Sequence, residues 1–298
     1  MKIGIDLGGS HISVGVINDK GYVVEKVEKR LMSKEKRHII DSIESYVIEQ
    51  VHGFRQDYSI SEIGIAIPGT IRQNLVVKSV NLGLVNYPIV DRLQEQLSLP
   101  IHIQNDAKCA ALAEYKYGAL KQQNRVVFLT LGTGIGGAVI INHKLLDAGE
   151  LPGCEFGHMI IERNGIPCAC GKQGCFEKYA SMKAFKDNLR RELGLTETTR
   201  GQELLDRLRK EEDDPRIQKI VEEFIDYLSV GISNLINIFE PEVVGIGGSF
   251  VYFSDVLLPK LKENIVCKHY LFNPREQITI VPAVLGNDAG MIGSVSGN

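Results

Sequence analysis

At 298 residues, 44% hydrophobic and 24% charged, the chain has a globular composition and enough length for one large core or two smaller ones; two domains are expected. A formal net charge of -3 and the lack of any Lys- or Arg-rich block leave no electrostatic footprint for a phosphate backbone, so nucleic acid is not an expected partner. Asp6 interrupts the apolar core a leader peptide would need, and eighteen consecutive apolar residues occur nowhere, so a cytoplasmic protein with no membrane partner is expected.

The first thirty residues read as three strands, KIGIDL, ISVGVIN and YVVEKVEKR, joined by GGSH and DKG into an antiparallel meander. Ile39, Ile40, Ile43, Val47, Ile48 and Val51 then recur at helical spacing and predict a long amphipathic helix. A buried strand (EIGIAIPG), a helix (IVDRLQEQLSL), a strand (PIHIQND) and a helix ending at a glycine (AKCAALAEYKYG) follow. Strands alternating with helices after a meander predict an α/β layer fold. Residues 126–148 repeat the opening, with strand VVFLTL, glycine turn GTGIGG and strand AVIINHKLL, as though a second copy of the unit begins there. A helix-rich insert covers about 178–239, and PEVVGIGGSF reads as a buried strand running into another glycine turn. The predicted division is an N-terminal α/β lobe over 1–117, completed by a C-terminal helix at 286–298, and a second α/β lobe over 118–285.

GTGIGG satisfies Gly-x-Gly-x-x-Gly through Gly132, Gly134 and Gly137, but a dinucleotide site needs a helix after the turn and a strand follows here. That disfavours a nicotinamide-dependent dehydrogenase. A strand–turn–strand hairpin can still cradle phosphate, because its amides are exposed and glycine has no Cβ to block approach. DLGGS is built the same way, and no Gly-x-x-x-x-Gly-Lys-Ser/Thr motif occurs, which excludes a P-loop.

DLGGS, LTLGTGIGG, EFGH, CACGKQGCFE and VVGIGG, in that order over nearly the whole chain, resemble the motifs of the ROK family of sugar kinases and related repressors. The resemblance implies a two-domain actin-like ATPase (ribonuclease H-like) fold with a zinc-bound loop, and ATP held between two lobes. It implies that Asp6 orients Mg²⁺ through water, that Gly8, Gly9 and Ser10 line one side of the phosphates, and that Thr133 and Gly134 line the other. The GIGGS segment, with Gly247 and Gly248, would lie against the adenosine; His11 receives no role. Asn105 and Asp106, at a strand end and a helix start, correspond to the family's sugar-binding asparagine and catalytic aspartate, although Asp is also a common helix cap. Glu155, His158 and Glu177 would add sugar-binding groups, because polyols need side chains that donate and accept in several directions.

Cys168 and Cys170 form C-x-C, Cys175 follows after four residues, and His158 lies ten residues upstream. Three thiolates and an imidazole complete a tetrahedral zinc shell with no open position, which predicts a structural Zn²⁺. Such an ion would tie the predicted strand bearing Glu155 and His158 to the segment bearing Glu177. Cys109, Cys154 and Cys267 read as ordinary buried thiols. The expected activity is ATP-dependent phosphorylation of the 6-hydroxyl of a hexose, glucose first, with mannose, allose, fructose or N-acetylmannosamine as alternatives because NLGLVNYPI lacks the tryptophan common at this point in glucokinases. A sugar-sensing regulator is less expected, since the chain starts directly in a strand with no room for a helix-turn-helix. A homodimer is the expected assembly.

Overall fold

The computed structural model describes residues 1–9, 11–31, 39–146, 153–266 and 278–297; Ser10 and Cys267 lie outside them. The chain divides into two compact units, 1–122 with 144–153 and 284–298, and 123–143 with 154–283.

In the first unit, strands β1 (Lys2–Leu7), β2 (His11–Ile17) and β3 (Val23–Arg30) form the meander, and helix α1 (Ile39–Asp57) follows. Next come β4 (Ile63–Ile67), the short strands β5 (Thr70–Arg72), β6 (Leu75–Ser79) and β7 (Leu84–Tyr87), helix α2 (Ile89–Leu97), β8 (Ile101–Asn105) and helix α3 (Asp106–Tyr117). The main sheet has the order β3-β2-β1-β4-β8. β1 is antiparallel to β2 and parallel to β4, and β4 is parallel to β8. Ile3, Ile5, Ile63 and Ile65 point to one face and bury there with Ile43, Val47 and Val51 of α1 and Leu93 and Leu97 of α2. This is the stripe that the helical spacing of α1 requires. β5, β6 and β7 make a separate three-stranded antiparallel sheet that the sequence reading did not resolve. Tyr87 and Arg92 both donate to the buried Glu44 carboxylate, at 2.7 Å and 2.8–3.0 Å, and so fasten this sheet and α2 to α1.

The second unit opens with β9 (Arg125–Leu131) and β10 (Ile135–Ile141), and the short β11 (Lys144–Leu145) follows in sequence. Its helices are α4 (Glu177–Ala180), α5 (Met182–Glu192), α6 (Gly201–Lys210) and α7 (Pro215–Phe239). Strand β12 (Val243–Gly248), helix α8 (Ser254–Asn264) and strand β13 (Thr279–Pro282) complete it. Strands β10-β9-β12-β13 repeat the order and directions of β2-β1-β4-β8: antiparallel, parallel, parallel. The glycine turn is shorter than GTGIGG suggests, since Ile135, Gly136 and Gly137 already pair within β10. Gly137 is glycine for packing, because a Cβ there would meet the Phe156 ring at 2.5 Å and Phe128 O at 2.7 Å.

Helix α9 (Ala289–Ser294) returns to the first unit. Gly4 and Gly64, paired across β1 and β4, form the opposite face of that sheet, where added Cβ atoms would meet Met291 O at 2.2 Å and Ser294 O at 2.1 Å. The Ile-Gly-Ile alternation in both strands thus sorts a packed apolar face from a face that admits a helix backbone. Among the described residues no helix is long and apolar enough to cross a membrane.

Candidate active site and metal centre

In the first unit the carboxyl ends of the parallel strands β1, β4 and β8 share one edge, where α/β sheets hold their functional groups. Asp6 lies at the end of β1 and Asn105 at the end of β8, and Asp106 begins α3. Asn105, not Asp106, caps α3: its Oδ1 accepts from the Ala107 amide at 3.0 Å and the Lys108 amide at 3.2 Å. Its Nδ2 donates to Gly69 O at 3.1 Å, which leaves one amide hydrogen for a ligand. Asp106 Oδ1 accepts from the Ala107 amide at 2.8 Å, in the helix first turn, where the macrodipole favours a carboxylate.

Asp6 is the electrostatic centre of this edge. Burial, then the charges of Asp106 and Asp288, push its carboxyl up from 3.8 to about 7. Its Oδ2 lies against Gly290, where a Cβ would stand 2.5 Å away. Asp288 is itself bound to Lys26 at 2.8 Å. Asp288 and Gly290 had no signal in the sequence reading; only the return of α9 to this sheet brings them to Asp6. The negative charges of Asp106 and Asp288 add to burial in disfavouring the anionic form of Asp6. Gly8 and Gly9 follow Asp6 in the hairpin, and Gly8 N donates to His11 O at 2.9 Å.

In the second unit, Gly132, Thr133 and Gly134 form the turn between β9 and β10, Thr133 is exposed, and Gly132 N donates to Gly134 O at 3.0 Å. Leu131 pairs with Gly248, so Gly247 and Gly248 end β12 beside this turn. The segment bearing Glu155 and His158 is a 3-10 turn, Phe156–His158, and not the predicted strand. In this turn Gly157 packs on the β10 backbone: a Cβ there would meet Ile135 O at 2.3 Å. Glu155 is exposed and its carboxylate has no hydrogen bond among the described residues, whereas Glu177, the first residue of α4, is half-buried.

His158, Cys168, Cys170 and Cys175 present donor atoms that all lie within 4.8 Å of one another. Cys168 Sγ is 3.7 Å from His158 Nδ1, and Cys170 Sγ is 3.5 Å from Cys175 Sγ. A tetrahedral zinc with bonds of about 2.3 Å to sulfur and 2.0–2.1 Å to nitrogen has edges of about 3.6–3.8 Å; these two separations are close to that, and the donor set is one that can hold Zn²⁺. The loop is folded for this by its own hydrogen bonds: Cys168 N donates to Lys172 O at 2.8 Å and Gly171 N to Cys168 O at 3.0 Å. Gly174, at φ 75°, approaches Glu162 O so closely that a Cβ would stand at 1.6 Å. Burial raises the thiols of Cys168 and Cys175, the latter to about 12, and the Lys172 amide lowers that of Cys170, so cation capture here would release protons. Cys109 is buried, and Cys154, at φ 60°, is partly buried against the hydrophobic core.

Glu177 links the two features. Its Oε1 is 3.3 Å from Cys168 Sγ and 3.7 Å from His158 Nδ1, and its Oε2 would lie 2.6 Å from a Cβ on Gly134. The sequence reading placed Glu177 on the sugar side only.

The sequence pattern of the ROK family matches residues 2–296. The chain is 32% identical to the glucokinase of Thermotoga maritima, with 99% of this chain and 96% of that one aligned. It is 29% identical to the xylose repressor of Bacillus spizizenii, over 99% of this chain and 76% of the repressor. Among solved structures, a ROK family glucokinase from Streptomyces griseus in complex with glucose and AMPPNP superposes with a TM-score of 0.84 at 26% identity, covering 98% and 97% of the two chains. The α/β fold is therefore that of the ROK kinases, in the actin-like ATPase group, and the chain belongs to the ROK family.

Proposed function

We propose that this ROK protein is an ATP-dependent hexose kinase that transfers the γ-phosphoryl group to a sugar 6-hydroxyl, with glucose the first substrate to test. The observation that carries this reading is the pair Asp6 and Asp106, one buried with its carboxyl raised to about 7 and the other at the first turn of α3, on the edge where parallel strands end. Its support beyond the site is the glucokinase of Thermotoga maritima at 32% identity and the relative that holds glucose and AMPPNP.

In this reading Asp106 accepts the 6-hydroxyl proton as the sugar oxygen attacks the γ-phosphorus; the bond to the β,γ-bridging oxygen breaks and ADP leaves. Asn105 offers its remaining amide hydrogen to the sugar, Glu177 and His158 add contacts, and exposed Glu155 joins them through a rotation of its side chain. Asp6 would hold Mg²⁺ through water, and that ion would neutralise charge on the phosphates. Gly8, Gly9, Ser10, Thr133 and Gly134 would offer amides to the phosphates, and Gly247 and Gly248 would pack on the adenosine. His158, Cys168, Cys170 and Cys175 would hold Zn²⁺, which fixes the loop. The proposal includes a cytoplasmic homodimer.

The relatives named xylose repressors support a second reading, a sugar sensor without turnover. Incubation with Mg²⁺, ATP and a panel of hexoses, with ADP release as readout, separates the two. Sugar binding with no ADP above the sugar-free rate would favour the sensor.

A further inference from the structure

Helix α5 spans the exits of two neighbouring strands. At its start the Lys183 amide donates to Gly132 O at 3.0 Å, in the turn after β9. One turn on, Lys186 Nζ lies 3.4 Å from Ser249 Oγ, in the turn after β12, and 6.0 Å from the centre of the Phe253 ring. β9 and β12 are adjacent and parallel, with Leu131 opposite Gly248, so both glycine turns leave one edge of the sheet side by side. Lys186 stands at that edge.

The surroundings of this ammonium are unusual for a lysine. It is half-buried, and burial followed by the charge of Arg190 lowers its pKa, with Asp187 acting in the opposite direction. Asp187 is engaged elsewhere: its Oδ1 accepts from Arg190 at 2.9 Å and its Oδ2 from Lys183. Among the described residues no carboxylate lies within ion-pair distance of Lys186, whose hydrogen-bond partner is the neutral Ser249 hydroxyl. A cation that has given up water for a hydroxyl and an aromatic face gains most from an added anion. A phosphate is such an anion, and the turns on either side of Lys186 are those assigned above to the nucleotide.

We propose that Lys186 is a phosphate-binding residue of the nucleotide site, donating from Nζ to the phosphate nearest the nucleoside. This rests on the reading that the Gly132–Gly134 and Gly247–Ser249 turns hold ATP. The ammonium would select nucleotides over nucleosides, while Ser249 keeps it oriented when no nucleotide is bound.

The test compares adenosine, AMP and ADP binding by titration calorimetry, with competition against ADP for the weakest, on the full chain and on Lys186→Met, Lys186→Gln and Lys186→Arg. Met and Gln keep the stem, so either folded variant serves, and an unchanged melting temperature certifies the fold. The expected result is a loss of about tenfold for AMP and ADP in Met and Gln, the size of one charge-assisted hydrogen bond. Adenosine should stay within twofold, and Arg should recover part of the loss. Equal loss for adenosine and AMP, or no loss for AMP and ADP, overturns the proposal while leaving the kinase reading intact. A wild-type protein that binds no adenine nucleotide overturns both.

Discussion

A Cβ placed on Gly134 would stand 2.6 Å from Glu177 Oε2, and the other oxygen of that carboxylate lies 3.3 Å from Cys168 Sγ. The glycine turn and the cysteine loop therefore press on the same side chain. From sequence alone a substitution in GTGIGG would disturb nucleotide and spare sugar. The contact predicts otherwise: Gly134→Ala must displace Glu177 and should weaken sugar binding several-fold as well as raise the KM for ATP. Gly132→Ala is the control, since a Cβ there meets nothing within 4 Å, and its sugar affinity should be unchanged. Calorimetric sugar titrations of both variants check this; equal sugar affinities would break the link.

Asp106→Asn should reduce turnover by roughly two to four orders of magnitude, the usual cost of losing a general base, with sugar affinity within a few fold of wild type. The fold should tolerate the change, because the helix is capped by Asn105. Asn105→Ala, in contrast, should cost about 1 kcal/mol of stability through the lost cap. Steady-state kinetics with denaturant melts on both variants provide the check, and near-normal turnover in Asp106→Asn removes it from the chemistry.

Asp6 gives a pH signature. Its folded pKa of about 7 exceeds the ordinary 3.8, so between those values the unfolded chain releases a proton that the folded chain keeps. Its contribution to stability is therefore lost as pH rises from about 4 to 7 and stays lost above, by an amount on the order of a few kcal/mol at most. Asp6→Asn removes that slope: relative to wild type it should melt higher at pH 8 than at pH 5. Asp106→Asn should shift the wild-type slope to lower pH, because one of the charges raising Asp6 is gone. Melting curves at the two pH values, in protein stripped of divalent ions, test the sign.

Zinc removal should be felt beyond its own loop. The purified protein should contain about one zinc per chain, as a closed shell of three cysteines and one histidine requires. Cys170→Ser should lower the melting temperature and weaken sugar binding. Because Glu177 lies against both Cys168 and the Gly134 turn, ADP affinity should fall too. Metal analysis with sugar and ADP titrations decides; a zinc-free variant with unchanged melting and sugar affinity contradicts the clamp.

The parts of the molecule that could be read from sequence are those set by local pattern. The Ile-Gly-Ile runs of β1 and β4 identify strands with unequal faces, and the C-x-C pair with interleaved glycines identifies a metal knuckle within a dozen residues. What could not be read depends on distant packing. Glu114 sits in a helix whose residues alone suggest a solvated glutamate, yet it is fully buried and accepts from the Ala119, Val284 and Leu285 amides at 2.7–2.9 Å. Asp288 reaches Asp6 only because glycines let α9 approach the sheet, and Lys186 acquires its setting from two turns more than fifty residues apart in sequence. The 3-10 turn at Phe156–His158 sets Gly157 close against Ile135, a contact that no spacing rule encodes.

The central claim is phosphoryl transfer from ATP to a hexose 6-hydroxyl, and phosphorus NMR of a single reaction tests it most directly. Protein, Mg²⁺, ATP and each hexose in turn are followed until ATP is consumed. The account predicts a hexose 6-phosphate resonance growing one-for-one with ADP, with glucose among the sugars that react, and no such resonance with Asp106→Asn. ADP appearing only with inorganic phosphate, or no ADP with any hexose from protein that binds both ligands, would contradict it.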